Sequence, residues 1–191
     1  FMRYEKGRKD TSRSKIIDVA SERFRSDGIA ASGLATIMSD AGLTNGAFYP
    51  HFASKADLVR ACVVHALETQ TQRLRDALAT GGIEAVIVTY LSAEHRDNPA
   101  TGCASAALLP EIARQSEETR QAYTDHFKTL VDVIATALAP TNDPQGVAMS
   151  VVASLFGTLE LARALKGNEL SDSILAAGAD AARKLIQTAQ G

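Results

Sequence analysis

The chain has 191 residues, a length that suits one medium-sized domain or two small ones that share a core. Hydrophobic residues make up 46% of it, which is enough for a globular core. Its formal net charge of −2 does not by itself indicate a nucleic-acid partner, and its two cysteines are too few for a disulfide framework. No apolar run approaches the roughly 20 residues of a membrane span and no signal peptide is visible, so we expect a protein of the reducing cytoplasm.

The charge is unevenly distributed along the chain. Residues 1–60 carry a net charge of +3, whereas residues 61–191 carry a net charge of −5. The basic residues near the N-terminus include Arg8, Lys9, Arg13 and Lys15. A basic end on an acidic body is typical of a protein that contacts a polyanion at that end only, although a solvated basic tail has the same composition.

The N-terminal part predicts three helices after a polar segment at residues 3–11, which lacks periodicity and which we expect to be a mobile arm. The first helix runs from about Ser12 to Asp27, where Gly28 ends it. The second, from about residue 34 to 40, has apolar residues at i, i+3, i+4 and i+7. The third is a very short helix at about residues 45–50.

A tight turn is predicted between the second and third helices. Gly42 can adopt the left-handed conformation that ends a helix, and Leu43 can cover the core beneath the turn. Thr44 is a suitable N-cap for the third helix because its hydroxyl can accept from a free backbone N–H. Two short helices joined in this way form a helix-turn-helix, whose second helix can lie in the major groove of DNA.

This stretch resembles the TetR family of bacterial transcriptional regulators, in members with the pattern A-G-L-T-x-G-x-F-Y-x-H-F-x-S-K. The matching residues are Ala41, Gly42, Leu43, Thr44, Gly46, Phe48, Tyr49, His51, Phe52, Ser54 and Lys55. The resemblance implies a helix-turn-helix DNA-binding domain at residues 3–57 and a helical ligand-binding and dimerisation domain at residues 58–191. Two positions differ from many members, because Ala35 lacks a polar or basic side chain and Pro50 replaces a larger group. Fewer direct base contacts are therefore expected.

The rest of the chain predicts helices only, and the fold is expected to be all-α with about nine helices. Ser54, with Asp57 three residues later, is predicted to cap a long helix that ends near Leu78, before Gly81 and Gly82. Further helices are predicted at about residues 83–95, 103–114, 117–138, 145–165 and 171–188.

Contacts to DNA divide into phosphate binding and base recognition. Lys55, Tyr49 and His51 match the positions that the family uses for phosphates, and basic residues such as Arg13 would add salt-dependent attraction. Asn45 could bond an adenine edge in two places, and Ala47 could contact a thymine methyl group. Phe48 and Phe52 are predicted core residues. The predicted DNA-binding residues are Thr44, Asn45, Gly46, Ala47, Tyr49, His51, Lys55 and Arg13.

An apolar ligand cavity with few polar groups is expected among the middle helices. Its candidate residues are His65, Tyr90, Cys103, Leu108, Tyr123, Phe127 and Phe156, although residues of these types are more often plain core residues than ligand contacts. Cys103 opens a predicted helix after Gly102, a position where thiolate is favoured. Redox or electrophile sensing through this thiol is therefore an alternative trigger, and a packing role for the Gly-Cys pair is the alternative to sensing.

The last two helices are rich in small residues spaced four apart, which lets helices approach closely. An intramolecular core would need the same spacing. The resemblance implies instead a four-helix dimer interface built from these helices of two copies. The predicted interface residues are Ala153, Gly157, Leu161, Ala177 and Ala181.

No enzyme signature is found. The four histidines are scattered, and the sequence has no His-x-x-x-His pair, no Gly-x-Ser-x-Gly and no phosphate-binding glycine loop. Cys62 and His65 would be only two metal ligands, so neither a metal nor a cofactor is predicted. The resemblance implies a sequence-specific regulator, more often a repressor than an activator, that binds a palindromic operator as a homodimer and is released by a small molecule. An interaction module that has lost DNA binding is the remaining alternative class.

Overall fold

A computed structural model describes residues 2–138 and 140–189, with the side chains of residues 2–9 outside the description. The described residues form eight α-helices and two short 3₁₀ helices, and they contain no strand. The α-helices are α1 (Met2–Asp27), α2 (Leu34–Asp40), α3 (Lys55–Tyr90), α4 (Ala93–Asp97), α5 (Ala104–Ile112), α6 (Glu117–Ala137), α7 (Pro144–Ala164) and α8 (Glu169–Thr188), and the 3₁₀ helices are Asn45–Ala47 and Pro99–Thr101. The all-α prediction is confirmed, with eight α-helices rather than nine.

Helix α1 begins ten residues earlier than predicted, because residues 3–11 are helical rather than an arm. The lack of hydrophobic periodicity in this charged sequence did not exclude a helix. Arginine, lysine and glutamate have high helix propensity, so a charged segment can be helical without an apolar stripe. The side chains of Arg8 and Lys9 lie outside the described residues, and Arg13 and Lys15 are exposed.

The N-terminal helices share one apolar core. Ile16, Ala20 and Phe24 of α1 are buried against Ile37 and Met38 of α2. Gly28 ends the helix with a positive φ of 88°. Arg23 joins α1 to α2, since its guanidinium lies 2.6 Å from an Asp40 carboxylate oxygen. The predicted α1 and α2 boundaries at Asp27, Leu34 and Asp40 are confirmed.

Helix α3 belongs to both halves of the molecule. Its first turns bury Leu58 and Val63 in the N-terminal core, whereas Leu74 and Ile87 belong to a second core formed with α6, α7 and α8. Ser54 caps this helix as predicted, because its Oγ accepts from the Asp57 N–H at 3.2 Å. At Gly81 and Gly82 the backbone is not helical, so the predicted break is present as a kink.

Helices α7 and α8 pack on each other so closely that a Cβ on Gly178 would overlap Thr158. Val151, Leu155 and Leu159 of α7 are buried in the second core. Helix α7 is long and apolar enough to cross a membrane, by length and composition alone, with a mean hydropathy of 1.4. The expectation that no apolar run approaches the length of a membrane span was therefore wrong. The core helix of a soluble protein has the same properties, and this packing favours that interpretation.

Candidate functional site

The turn between α2 and the first 3₁₀ helix has the geometry of a helix-turn-helix. Gly42 has a φ of 66°, and its N–H donates to the Ser39 carbonyl at 2.9 Å. The Leu43 N–H donates to Met38 O at the same distance, which closes α2 as a glycine-terminated helix does. Thr44 occupies the N-cap position in an extended conformation, but its hydroxyl makes no cap hydrogen bond. The prediction of a side-chain cap at Thr44 was therefore wrong.

The segment after this turn separates its aromatic residues between core and solvent. Phe48 is 2% exposed and stacks on Phe52, with ring centroids 5.5 Å apart, which confirms both as core residues. Tyr49 is 72% exposed, and its ring meets the edge of Phe48 at 5.4 Å. Thr44, Asn45, Gly46 and Pro50 are also exposed, and Ala47 and His51 are half-buried. Six of the eight predicted DNA-contacting residues thus lie within residues 44–51, on one short segment.

This segment is a single 3₁₀ turn, Asn45–Ala47, rather than the helix predicted to reach Pro50. The Phe48 and His51 N–H groups continue it as irregular turns, donating to Asn45 O at 3.2 Å and Phe48 O at 2.9 Å. Pro50 has no N–H, which explains why regular helical bonding does not extend through it.

The predicted phosphate-binding cations flank the exposed segment. The Arg13 guanidinium lies 5.0 Å above the Phe52 ring, a cation–π geometry that leaves the side chain exposed. The Lys55 ammonium donates to the Ile29 carbonyl at 2.6 Å, so this side chain also ties α3 to the loop after α1. A lysine ammonium has three donors, and two remain for another acceptor.

A cavity of about 680 Å³ lies between α1, α3, α6, α7 and residues 92–103. Four of the seven predicted ligand residues line it: His65, Tyr90, Cys103 and Phe156. The Tyr90 and Phe156 rings stack with centroids 5.9 Å apart. Burial raises the pKa of the Tyr90 hydroxyl well above its ordinary value, and this hydroxyl makes no hydrogen bond within the described residues.

The other three predicted ligand residues do not line this cavity. Leu108 is buried in the N-terminal core. The Tyr123 hydroxyl donates to Ser105 Oγ at 3.0 Å, and burial raises its pKa to about 12. Phe127 stacks on Tyr123 with centroids 6.0 Å apart and packs against the second core. These three side chains on α5 and α6 pack within the protein rather than line the cavity. The residue type alone could not distinguish a packing role from a ligand contact.

His95 was missed as a cavity residue because nothing in its sequence neighbourhood marks it. Its Nε2 accepts from the Cys103 N–H at 2.9 Å, which leaves Nδ1 to donate to the Tyr90 carbonyl at 2.7 Å. This arrangement fixes the neutral tautomer with its proton on Nδ1. Burial lowers the pKa of His95, in agreement with a neutral ring.

Cys103 is the N-cap of α5, as predicted, and is 4% exposed. Its thiol donates to Gln70 Oε1 at 3.2 Å, and its sulfur accepts from the Ala106 N–H at 3.4 Å. Cys62 differs, because its thiol is buried in the N-terminal core and burial raises its pKa to about 12. Of the two thiols, only Cys103 lines the cavity.

Two arginines at the α1 end of the cavity were also missed. Arg25 Nε donates to the Ala100 carbonyl at 2.5 Å, and Arg73 Nη1 donates to the Thr101 carbonyl at 2.7 Å. Both side chains therefore hold the 3₁₀ turn Pro99–Thr101 against α1 and α3. The only available sequence signal was a basic residue on each predicted helix, which is usually a solvated face.

A second link joins the N-terminal core to the body. The Glu111 carboxylate of α5 accepts from the Ile29 N–H at 3.1 Å and the Ala30 N–H at 3.0 Å. Together with the Arg25 contact to Ala100, it ties the last turn of α1 and the start of the following loop to the 3₁₀ turn Pro99–Thr101 and to α5.

The outer face of α7 and α8 is free within the described residues. Leu161 is 56% exposed, and Ala153, Ala177 and Ala181 are also exposed. Gly157 faces open space, since a Cβ there would meet no atom within 4 Å. The small-residue stripe therefore has two faces, one used for α7–α8 packing at Gly178 and one directed outward.

Comparison with known proteins matches the N-terminal region to a family. The family described as "Bacterial regulatory proteins, tetR family" matches residues 16–62, the range that holds α1, α2, the exposed segment and the start of α3. The regulator TtgR of Pseudomonas putida is 38% identical over 75 residues. Residues 16–62 thus belong to the TetR family of bacterial regulatory proteins. The family predicted from residues 41–55 is thereby confirmed.

The TetR-family relatives are matched over part of their length. The TtgR match covers 39% of this chain and 36% of that protein, and AcrR of Shigella flexneri is 43% identical over 47 residues, covering 25% and 22%. This chain thus spans about a third of the length of the curated relatives it matches. All are named as transcriptional regulators, in agreement with the prediction that the protein is not an enzyme.

Solved TetR-family structures extend the similarity to the whole fold. A regulator from Chloroflexus aurantiacus superimposes with a TM-score of 0.79 at 21% identity, over 94% of this chain and 96% of that one. NemR of Escherichia coli, in a reduced form, gives a TM-score of 0.77 at 19% identity, over 92% and 98%. At such identities the likeness shows the fold alone.

Proposed function

We propose that this chain is a ligand-responsive repressor that binds a palindromic DNA operator as a homodimer in the cytoplasm. The observation that carries the proposal is the exposed segment 44–50, where Tyr49 is held in solvent by the buried Phe48 and Phe52 beside it. The buried rings of Phe48 and Phe52 fix the backbone of this segment, so its exposed polar residues can be held in one position against a DNA groove.

In this proposal residues 3–57 bind DNA and residues 58–191 bind the ligand and the partner copy. Asn45, Gly46 and Ala47 would lie at the base edges, with Thr44 at the groove entrance. Tyr49, His51, Lys55 and Arg13 would contact phosphates, because Tyr49 and Arg13 are exposed and His51 and Lys55 are half-buried on or beside the same segment.

Binding to promoter DNA adjacent to the chain's own gene tests the proposal. Tyr49→Ala should weaken binding about ten-fold or more while leaving the melting temperature unchanged, because the ring is exposed. Lys128→Ala, an exposed lysine on α6, is the matched control and should bind as the parent does. Equal loss for both variants, or no specific binding by the parent, would contradict the assignment.

The proposed homodimer uses the outward face of α7 and α8. Two copies could pair Ala153, Gly157 and Leu161 with Ala177 and Ala181 to form a four-helix interface. Leu161→Lys should then yield a monomer at micromolar concentration in sedimentation velocity. Val88→Lys is the control, because Val88 has similar exposure but lies on α3. If both variants sediment like the parent, the interface lies elsewhere.

The proposed release mechanism depends on the cavity wall being part of the DNA-binding region. Asp18, Glu22 and Arg25 of α1 line the cavity, so a ligand there would contact the first helix of that region directly. If α1 can take two positions relative to the body, a ligand that binds one of them more tightly would shift α1 toward it. This shift would change the distance between the exposed segments 44–50 of the two copies. The His65, Tyr90, Cys103 and Phe156 side chains would contact it, and Leu108, Tyr123 and Phe127 would support the wall.

A second candidate trigger is the thiol of Cys103, which lines the same cavity. Its sulfur could add to the β-carbon of an α,β-unsaturated carbonyl compound, and the thiol proton would pass to the α-carbon, with no oxidant required. NemR, a structural neighbour, was solved in a state described as reduced. Mass spectrometry after brief treatment with such an electrophile should show adduct at Cys103 and none at Cys62. An inert Cys103, or full operator release of Cys103→Ser by the electrophile, would exclude this trigger.

A further inference from the structure

The α1 end of the cavity carries two cations that lack a carboxylate partner. Neither Arg25 nor Arg73 forms an ion pair with any described residue. Arg25 is half-buried, and burial lowers its pKa, with the neighbouring charge of Arg73 acting in the same direction. A charge that is partly taken out of water is normally paired, so the half-buried and unpaired Arg25 is unusual, with the exposed Arg73 as a second positive charge beside it.

The acidic residues of the cavity are placed less favourably for a bound ligand. Asp18 lies 3.3 Å from His65 Nε2, which occupies one of its carboxylate oxygens. Glu22 and Glu94 are exposed at the rim, where water and salt screen their charge. Glu22 favours the charged form of Arg25 without reaching ion-pair distance. Among the charged side chains that line this cavity, Arg25 is therefore the least solvated, whereas Arg73 is exposed as the carboxylates are.

The opposite side of the cavity is apolar and aromatic. The stacked rings of Tyr90 and Phe156 stand beside Leu130, Ile134 and Val152 from α6 and α7. The Tyr90 hydroxyl is fully buried there without a hydrogen bond, although the Cys103 thiol lies next to it. A buried hydroxyl that makes no hydrogen bond to a described residue can bond to a polar atom of a ligand.

We infer that the cavity binds a small aromatic or alkyl carboxylate. Its carboxylate would lie between the Arg25 and Arg73 guanidinium groups, and its apolar body would pack against Tyr90 and Phe156. A planar guanidinium matches a carboxylate in two parallel hydrogen bonds, which makes the site selective for this anion over a neutral amide of equal shape.

The same inference supplies a mechanism for release, and in this part it rests on the proposed function. Arg25 Nε now donates to the Ala100 carbonyl, and Arg73 Nη1 donates to the Thr101 carbonyl. A carboxylate is the stronger acceptor and would compete for these donors. Helix α1 would then lose its hydrogen bond to the 3₁₀ turn Pro99–Thr101, while the Glu111 link to Ile29 and Ala30 would remain as the pivot.

An isosteric ligand series tests the ligand class on the full chain. Titration calorimetry with 2-naphthoate, 2-naphthamide and 2-naphthylmethylammonium compares an anion, a neutral molecule and a cation of nearly equal shape. We expect 2-naphthoate to bind about ten-fold or more tightly than the amide, as a charge-assisted pair of hydrogen bonds provides. Arg25→Gln and Arg73→Gln should each abolish this preference.

Two control variants sharpen the result. Arg75→Gln removes an exposed α3 charge outside the cavity and should leave the preference unchanged. Glu22→Gln removes an opposing charge at the rim and should tighten 2-naphthoate binding. If Arg25→Gln strongly lowers the melting temperature, the ligand preference is judged from Arg73→Gln alone, because Arg73 is exposed and its replacement should not affect folding.

The inference is overturned if no member of the series binds, if the amide or the cation binds as tightly as the anion, or if the preference survives in the Arg73 variant. Operator binding is measured separately with the same compounds. Arginine-dependent binding of 2-naphthoate without operator release would uphold the ligand class and contradict the release mechanism. Operator release by a neutral compound, with no binding of 2-naphthoate, would uphold the regulator and overturn the ligand class.

Discussion

The exposed segment 44–50 and the cavity are two sites of opposite construction. The segment is continuous in sequence, and its backbone is fixed by Gly42 and by the rings of Phe48 and Phe52 directly beneath it. The cavity takes its wall from α1, α3, α6, α7 and residues 92–103, which meet only in the folded chain. The first site is thus encoded locally, and the second is a product of tertiary packing.

The largest expected effect separates core from surface within the exposed segment itself. Phe48→Ala removes a ring that is almost completely buried and should reduce the free energy of unfolding by about 3–5 kcal/mol. Tyr49→Ala, its neighbour, should change it by less than about 0.5 kcal/mol. Urea denaturation measures both. Similar losses for the two variants would show that Tyr49 is part of the core and would remove the basis of the DNA-binding assignment.

A smaller effect is expected at the cavity wall. A Cβ on Gly102 would lie 2.8 Å from Arg163 Nη2 and 2.9 Å from the His95 ring, and Arg163 is held by the His95 and Arg96 carbonyls. Gly102→Ala should therefore destabilise the chain by about 1–3 kcal/mol. Gly46→Ala, where a Cβ meets nothing within 4 Å, is the matched control and should be near neutral. An unchanged melting temperature for Gly102→Ala would mean that the His95 arrangement is not rigid.

The link between the two sites can be weakened at Glu111. Glu111→Gln keeps the size of the side chain but replaces one acceptor oxygen by an NH₂ group, so one of the two backbone N–H groups of residues 29 and 30 loses its partner. We expect a loss of about 1–2 kcal/mol in the free energy of unfolding. Glu117→Gln, on the first turn of α6, provides a comparison without a link of this kind. Hydrogen exchange at Ile29 and Ala30 should accelerate in the first variant only.

The smallest expected effect is a pH dependence from His95. Burial places its folded-state pKa below the ordinary value of 6.5, so the unfolded chain binds this proton first as the pH falls. The stability that the neutral ring contributes is complete above about pH 6.5 and is lost as the pH falls through the folded-state pKa. The urea midpoint should fall more between pH 7.5 and 5 in the parent than in His95→Gln. Parallel pH profiles would show that the ring protonates freely in the folded chain.

The difference between the sites explains what the sequence could predict. Local signals such as Gly42 and the Ser54 cap marked helix ends correctly, and the pattern at residues 41–55 identified the family. The glycines at residues 81 and 82 marked a kink within α3 rather than a helix end. The helical state of residues 3–11 was missed because periodicity reports burial and not helix formation. Arg25, Arg73 and His95 were missed because each reaches the cavity through contacts 8 to 75 residues away along the chain.

The central claim is that two copies of the segment 44–50 read one duplex together. Selection of bound sequences from a random double-stranded DNA library by the purified chain tests it most directly. We expect enrichment of an inverted repeat whose half-site centres are about one helical turn, or ~34 Å, apart, and loss of that enrichment in Leu161→Lys and in Tyr49→Ala. Enrichment of a single asymmetric site by the parent, or no enrichment at all, would contradict it.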